Sequence, residues 1–149
     1  MNSIAMTLHL LGTIVWVGGM FFAHMALRPT AAQVLEPPQR LPLLKGVLDH
    51  FFLWVWISII LIMTSGLWIF IVTFQGHMGG YVHLMLLLGL VMMGLFTYVY
   101  TQPYRHMGEA LAAGDLPAAG AQMNRIRQII GINLLLGLIT TIIATLKLF

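Results

Sequence analysis

Apolar residues run along this chain in long blocks separated by two polar stretches. Residues 1 to 27 hold no Asp, Glu, Lys or Arg. Arg28, Glu36, Arg40, Lys45 and Asp49 follow, and then a charge-free stretch runs from residue 50 to residue 104. Arg105, Glu109, Asp115, Arg125 and Arg127 make the second polar stretch, and residues 128 to 146 are charge-free again, with Lys147 beyond them. A helix that crosses a bilayer needs about 20 apolar residues. The first and last blocks each hold one such helix. The middle block is long enough for two, divided at the Gly-rich turn Gln75-Gly76-His77-Met78-Gly79-Gly80. The pattern predicts an all-α fold, an integral membrane bundle of four transmembrane helices over about 3–27, 51–74, 81–100 and 128–146. A single domain over 1–149 is expected, since a chain this short has no room for a second core.

Composition removes the alternatives. The chain is 60% hydrophobic and 7% charged. Soluble domains carry about 25% charged residues, so a polar exterior cannot be built from these. Disorder needs the opposite balance. The excess of seven Lys and Arg over four Asp and Glu forms no basic stripe, which argues against nucleic-acid binding. There are no cysteines, so disulfides, thiolate metal sites and thiol catalysis are excluded.

Six of the seven Lys and Arg fall in the polar stretches 28–50 and 101–127. Those two loops share one face of a four-helix protein, and the positive-inside rule makes that face cytoplasmic. Both termini and the Gly-rich turn are then expected outside. The first span lacks the basic start and short apolar core of a cleaved signal. Short interfacial helices are expected in both loops. Glu36-Pro37-Pro38 must interrupt the first. Asp115-Leu116-Pro117 reads as an N-cap with proline in the first turn, so the last helix is expected to begin near Leu116. Trp16, Trp54, Trp56, Trp68 and the four tyrosines are expected at the interfaces.

Histidine carries the candidate chemistry, because ionisable groups in a membrane are costly to keep. His9, His77 and His83 belong to the outer half, and His24, His50 and His106 to the inner half. His9 and His83 lie at matching depth on different spans. Two neutral imidazoles facing one another can fill both axial positions of a haem iron. Gly12, Trp16 and Gly19 share the His9 face; the glycines would leave room for a flat macrocycle and Trp16 would wall it. The same glycines also suit close helix packing, with His9 hydrogen-bonded to a neighbouring helix. Asn133 is the most polar residue of the last span, suited to an interhelical hydrogen bond or to a haem propionate. The inner histidines near Asp49 could hold a divalent metal. The eleven methionines mostly sit among Leu and Ile as ordinary apolar filler, but His77 and Met78 could form the outer mouth of a copper path.

Leu8-His9-Leu10-Leu11-Gly12, Val15-Trp16-Val17-Gly18-Gly19-Met20-Phe21-Phe22 and Leu27-Arg28-Pro29 resemble the first helix of the copper-resistance protein D (CopD)-like membrane family. Ser65-Gly66-Leu67-Trp68, Tyr81-Val82-His83-Leu84-Met85 and Asn124-Arg125-Ile126-Arg127 extend the resemblance over nearly the whole chain. The same outline is similar to the HemJ-type protoporphyrinogen oxidases, which bind haem b. CopD resemblance implies copper uptake across the inner membrane beside a periplasmic copper carrier. HemJ resemblance implies haem at a first-helix His, which falls on His9, and a third-helix Lys, which falls on Met85. The lysine is missing, a departure that puts the oxidase activity in doubt, while His83 or Met85 remains available as a second axial ligand. The leading expectation is a haem b protein with His9 and His83 as ligands, transferring electrons at the outer face, for example from quinol. The alternatives are copper transport or binding and a cofactor-free assembly subunit. A homodimer is plausible through the glycine-bearing faces.

Overall fold

The computed structural model describes residues 2–75, 77 and 79–148. Four helices are long and apolar enough to cross a membrane, and no strand occurs among the described residues. Helix α1 (Asn2–Phe22) passes through a π-helical turn (Ala23–Leu27) into α2 (Arg28–Val34). Leu35 and Glu36 are extended, as residues ahead of Pro37-Pro38 must be, and α3 (Pro37–Trp68) starts directly on the prolines. A second π-helical turn (Ile69–Thr73) ends this helix. Helices α4 (Gly80–Thr101), α5 (Pro103–Ala112) and α6 (Leu116–Leu146) follow.

The polar stretches, expected as loops carrying short interfacial helices, are mostly helix, and in α3 and α6 that helix is continuous with the span. Helix α3 has 32 residues, about 48 Å at the standard rise, against a hydrocarbon core of about 30 Å. Its first four turns carry the charges and project beyond the apolar stretch. Charge marks where a membrane ends. It does not end a helix, because the backbone hydrogen bonds continue regardless. The expected stop at Glu36 and start at Leu116 are both present. The Asp115 carboxylate accepts from Ala118 N at 3.1 Å, so it caps α6. Gly114 ahead of it has φ +72°, a conformation that glycine adopts without steric cost.

Large apolar side chains turn outward all round the bundle: Ile4, Ile14, Leu53, Ile60, Ile71, Leu87 and Leu135 are exposed. In water such a surface would aggregate; in a bilayer it is the lipid-facing coat. The chain is therefore a multi-pass membrane protein.

Inside, α1 packs along α3, and α6 packs along α4 and α5. Contact between α1 and α3 is close. A Cβ on Gly12 would sit 3.1 Å from the Ser58 carbonyl oxygen, and one on Gly19 would collide with the Phe51 ring. An aromatic column fills the centre: Phe52 meets Phe96 at 5.2 Å, Trp56 meets Phe96 at 5.0 Å and Phe52 meets Tyr104 at 4.9 Å. Trp16 and Trp56 thus belong to the packing and not to an interfacial belt. Trp54 and Trp68 do face outward.

Asn133 is buried on α6 and donates from Nδ2 to Met92 O on α4 at 3.2 Å. This is the interhelical bond, one of the two roles that its position suggested. Such bonds contribute about 0.6 kcal/mol on average in membranes and up to about 1.7. Asn133→Ala should lower unfolding stability by about 1 kcal/mol, read from reversible denaturation in mixed micelles. An unchanged or raised stability would mean that the unpartnered Asn133 Oδ1 costs as much as the bond returns.

Candidate functional site

His9 is the histidine that the fold takes inside the apolar part of the bundle. It lies half-buried on α1, and its ring turns toward α3. Nδ1 stands 3.2 Å from Ile62 O and 3.2 Å from Ser65 Oγ. A carbonyl oxygen only accepts, so Nδ1 carries the hydrogen. The Ser65 hydroxyl is itself donated to Leu61 O, which leaves its oxygen free to accept. Both contacts therefore point to one tautomer, with the proton on Nδ1 and a lone pair on Nε2. Metal-binding histidines are oriented in this way, with the second nitrogen donated to a carbonyl.

Gly66 makes the approach possible. A Cβ there would stand 3.2 Å from His9 Cε1, tighter than ordinary contact. Sequence reasoning singles out His9, while Ser65 and Gly66 enter it only as part of the family resemblance. The signal was present in the adjacent Ser65-Gly66 pair. Its meaning depended on which helix face meets α1.

The remaining candidates are dispersed. His83 is exposed on α4, a helix that packs on α6 and α5. Met85 is half-buried on the same helix. Among the described residues, no hydrogen bond links His83 to His9. The expected macrocycle slot is filled: Ile62 and Ser58 of α3 close over Gly12, and Phe51 closes over Gly19. Trp16, expected as the wall, is buried and set edge-on to Phe96 at 6.3 Å. The reason is steric, since the glycines let a helix approach and α3 takes the space. His77 is exposed and donates Nδ1–H to Gln75 O at 3.1 Å. Met78, its expected partner at a copper mouth, lies outside the described residues.

At the basic end, His50 donates Nδ1–H to Gly46 O of its own helix at 2.9 Å, and His106 is exposed. His24 sits in the π-helical turn against α6. Asp49, the carboxylate expected near them, is taken by Lys45 at 2.5 Å and by the Tyr104 hydroxyl. These groups lie beyond the apolar stretches 51–74 and 81–100. Burial alone would raise the Asp49 carboxyl, but the hydrogen bonds from Lys45 and Tyr104 outweigh it and hold it below the usual carboxylate range. Burial, and then Asp49, push the Tyr104 phenol above its ordinary value. With Lys45 Nζ 4.5 Å over the Tyr104 ring, the cluster fastens α3 to α5. Among the described residues, no three His, Asp or Glu side chains converge on a point.

The family profile for copper resistance protein D matches residues 45–147. That is more than two thirds of the chain, from the charged start of α3 to the end of α6.

The chain belongs to the copper resistance protein D family.

No curated protein and no solved structure matches it. The family is named for copper resistance, which agrees with the copper reading of the sequence rather than with its haem reading. The matched segment begins after α1, so His9 lies N-terminal to it. In this CopD-family chain, α1 supplies the ring and the matched segment supplies Ile62, Ser65 and Gly66, which hold it.

Proposed function

We propose that the protein binds Cu(I) within the bilayer and carries it across, with His9 Nε2 as the first ligand. One observation carries the reading: in a chain of a copper-resistance family, the inward histidine has its Nδ1–H fixed by α3 and its Nε2 lone pair free. Neutral imidazole suits copper, and thioether sulfur suits the cuprous state. Met6 lies three residues before His9, hence beside it on the helix surface, and supplies a soft donor. Met85 on α4 and His77 in the turn are donors along the same half of the molecule. The copper is cargo, so a site with few ligands fits its task. It must bind well enough to collect the ion and loosely enough to release it.

The orientation that fits this reading puts both termini and the glycine turn outside the cytoplasmic membrane. The distribution of Lys and Arg supports it. A copper-carrying protein on the outer side would then be the donor.

Haem b has less support. The His9 tautomer suits an iron ligand equally, but the residues present do not fit the group: Ile62 and Phe51 occupy the glycine face, and His83 is exposed on a helix that packs elsewhere. Electron transfer has no other support.

One experiment separates the readings. The detergent-purified chain is titrated with Cu(I) against a chromophoric chelator, and its visible spectrum is recorded oxidised and reduced. The expected result is about one Cu(I) per chain and no Soret band. A red protein with iron near one per chain, after expression with ample haem, would reverse the order of the two readings. Absence of both Cu(I) and haem would favour a cofactor-free assembly subunit.

A further inference from the structure

The basic end of the bundle holds a cleft that copper handling does not use. It opens between the π-helical turn, α3 and α6, with a cavity of about 30 Å³. Three of its residues are basic: His24, Arg28 and Arg127. The rest of its wall is apolar, including Leu27, Leu44 and Met123.

The cations in it lack partners. Both ion pairs among the described residues, Lys45–Asp49 and Arg105–Glu109, use other residues. Arg28 Nε is buried and bonds to nothing. Arg28 and Arg127 repel one another, and both act on His24. No carboxylate lines the cleft to offset this repulsion. Two guanidinium groups lining one cleft with no carboxylate repel one another, and an anion between them would relieve that repulsion.

The backbone is arranged to make the cluster. Helical geometry widens to a π-turn over Ala23–Leu27, immediately before Arg28, and π-turns inside α-helices are frequent at functional sites. His24 in that turn packs against Gly131 of α6, where a Cβ would stand 3.1 Å from its Cε1. Arg28 and Arg127 each stand at the exact edge of a charge-free block, one after residue 27 and one before residue 128. That is the depth of lipid headgroups.

We propose that this cleft binds a phosphate-bearing anion, and that its occupant is the headgroup phosphate of an anionic phospholipid. Guanidinium forks match phosphate oxygens bidentately, and Arg28 Nε is a donor awaiting such an acceptor. The apolar wall accepts the glycerol and the first acyl carbons, which a free phosphate ion does not have. The proposal is independent of the copper reading.

The test uses the full chain in a neutral detergent. Binding of phosphatidylglycerol, phosphatidylcholine and inorganic phosphate is measured by native mass spectrometry and by titration. Phosphatidylglycerol should bind about tenfold tighter than phosphatidylcholine, and Arg28→Gln or Arg127→Gln should each erase that preference. Arg125→Gln, at an exposed position, should change it less than about twofold. Arg127→Lys keeps the charge and loses the fork, so it should fall between. It also serves where a glutamine variant fails to fold, as judged by helix content. Equal loss in the Arg125 and Arg127 variants would overturn the site, since charge alone would then explain binding. Retention of the full preference in both glutamine variants would overturn it as well. Inorganic phosphate that displaces the lipid at millimolar concentration with the same arginine dependence would uphold the phosphate site and overturn its lipid occupant.

Discussion

His9→Ala should weaken Cu(I) binding by at least about a hundredfold while leaving the helical content intact. Loss of an outer partner of a metal ligand already costs about 10- to 100-fold in affinity, and loss of the ligand itself costs more. The ring is half-buried, and its removal leaves Ile62 O and Ser65 Oγ without its N–H. Both oxygens have other roles within α3, since Ser65 bonds its own helix. The structural penalty is therefore modest, and the chemical penalty dominates. Chelator competition on the purified variant reads the affinity, and circular dichroism reads the fold. Cu(I) affinity within threefold of the parent would remove His9 from the proposed path. Gly66→Ala gives a graded version, because its methyl group presses on His9 Cε1 while every ligand atom remains.

Gly12→Val should pry α1 from α3 and destabilise the bundle. The added carbons meet Ile62 Cγ1 at 3.0 Å and the Ser58 carbonyl oxygen at 3.1 Å. A side chain can swing away, but a helix backbone cannot do so alone, so α1 must lift from α3. Overpacking of this kind costs about 1–3 kcal/mol. The lift also carries the His9 ring, one turn earlier on the same face, away from Ile62 O. Stability and Cu(I) affinity should fall together, read by denaturation in mixed micelles and by chelator competition. Gly18→Ala is the control, since nothing stands within 4 Å of its Cβ position. An equal effect from the Gly18 change would show that helix propensity or lipid contact, and not the α1–α3 approach, governs this region.

The two variants separate what the glycines do from what the histidine does. Gly12 and Gly19 share a face with His9, and from spacing alone that face suits either a flat cofactor or a second helix. Both need small residues, and a periodicity does not tell them apart. Only the register of α3 decides, by placing Ile62 and Phe51 over the glycines. His9 and His83 illustrate a related ambiguity. Their matching depth follows from counting residues along two helices. Whether they face one another depends on which helices are neighbours, and α4 lies against α6 and α5.

Elements set by local chemistry were legible. Blocks free of charge had to be spans, because no other use exists for so many apolar residues in so few charges. Pro37-Pro38 had to break the first polar stretch, and Asp115 had to cap α6, because both act through their own backbone neighbours. Helix ends between those points were not legible. Helix α3 runs on past its apolar stretch to Pro37, since charged residues are as good at forming helix as apolar ones.

The sequence by itself determined that the chain holds four segments apolar enough to cross a membrane and that helices start at Pro37 and after Asp115, and it singled out His9 as a candidate. These follow from transfer free energies and backbone sterics, which act residue by residue. Tertiary structure alone decided that α3 holds the His9 ring, that the glycine face is closed, and that His24, Arg28 and Arg127 meet across about a hundred residues of chain. Those outcomes depend on how helices pair and rotate. In a bilayer every apolar face is equally at home against lipid or protein, so hydropathy leaves the pairing open, and fine packing settles it.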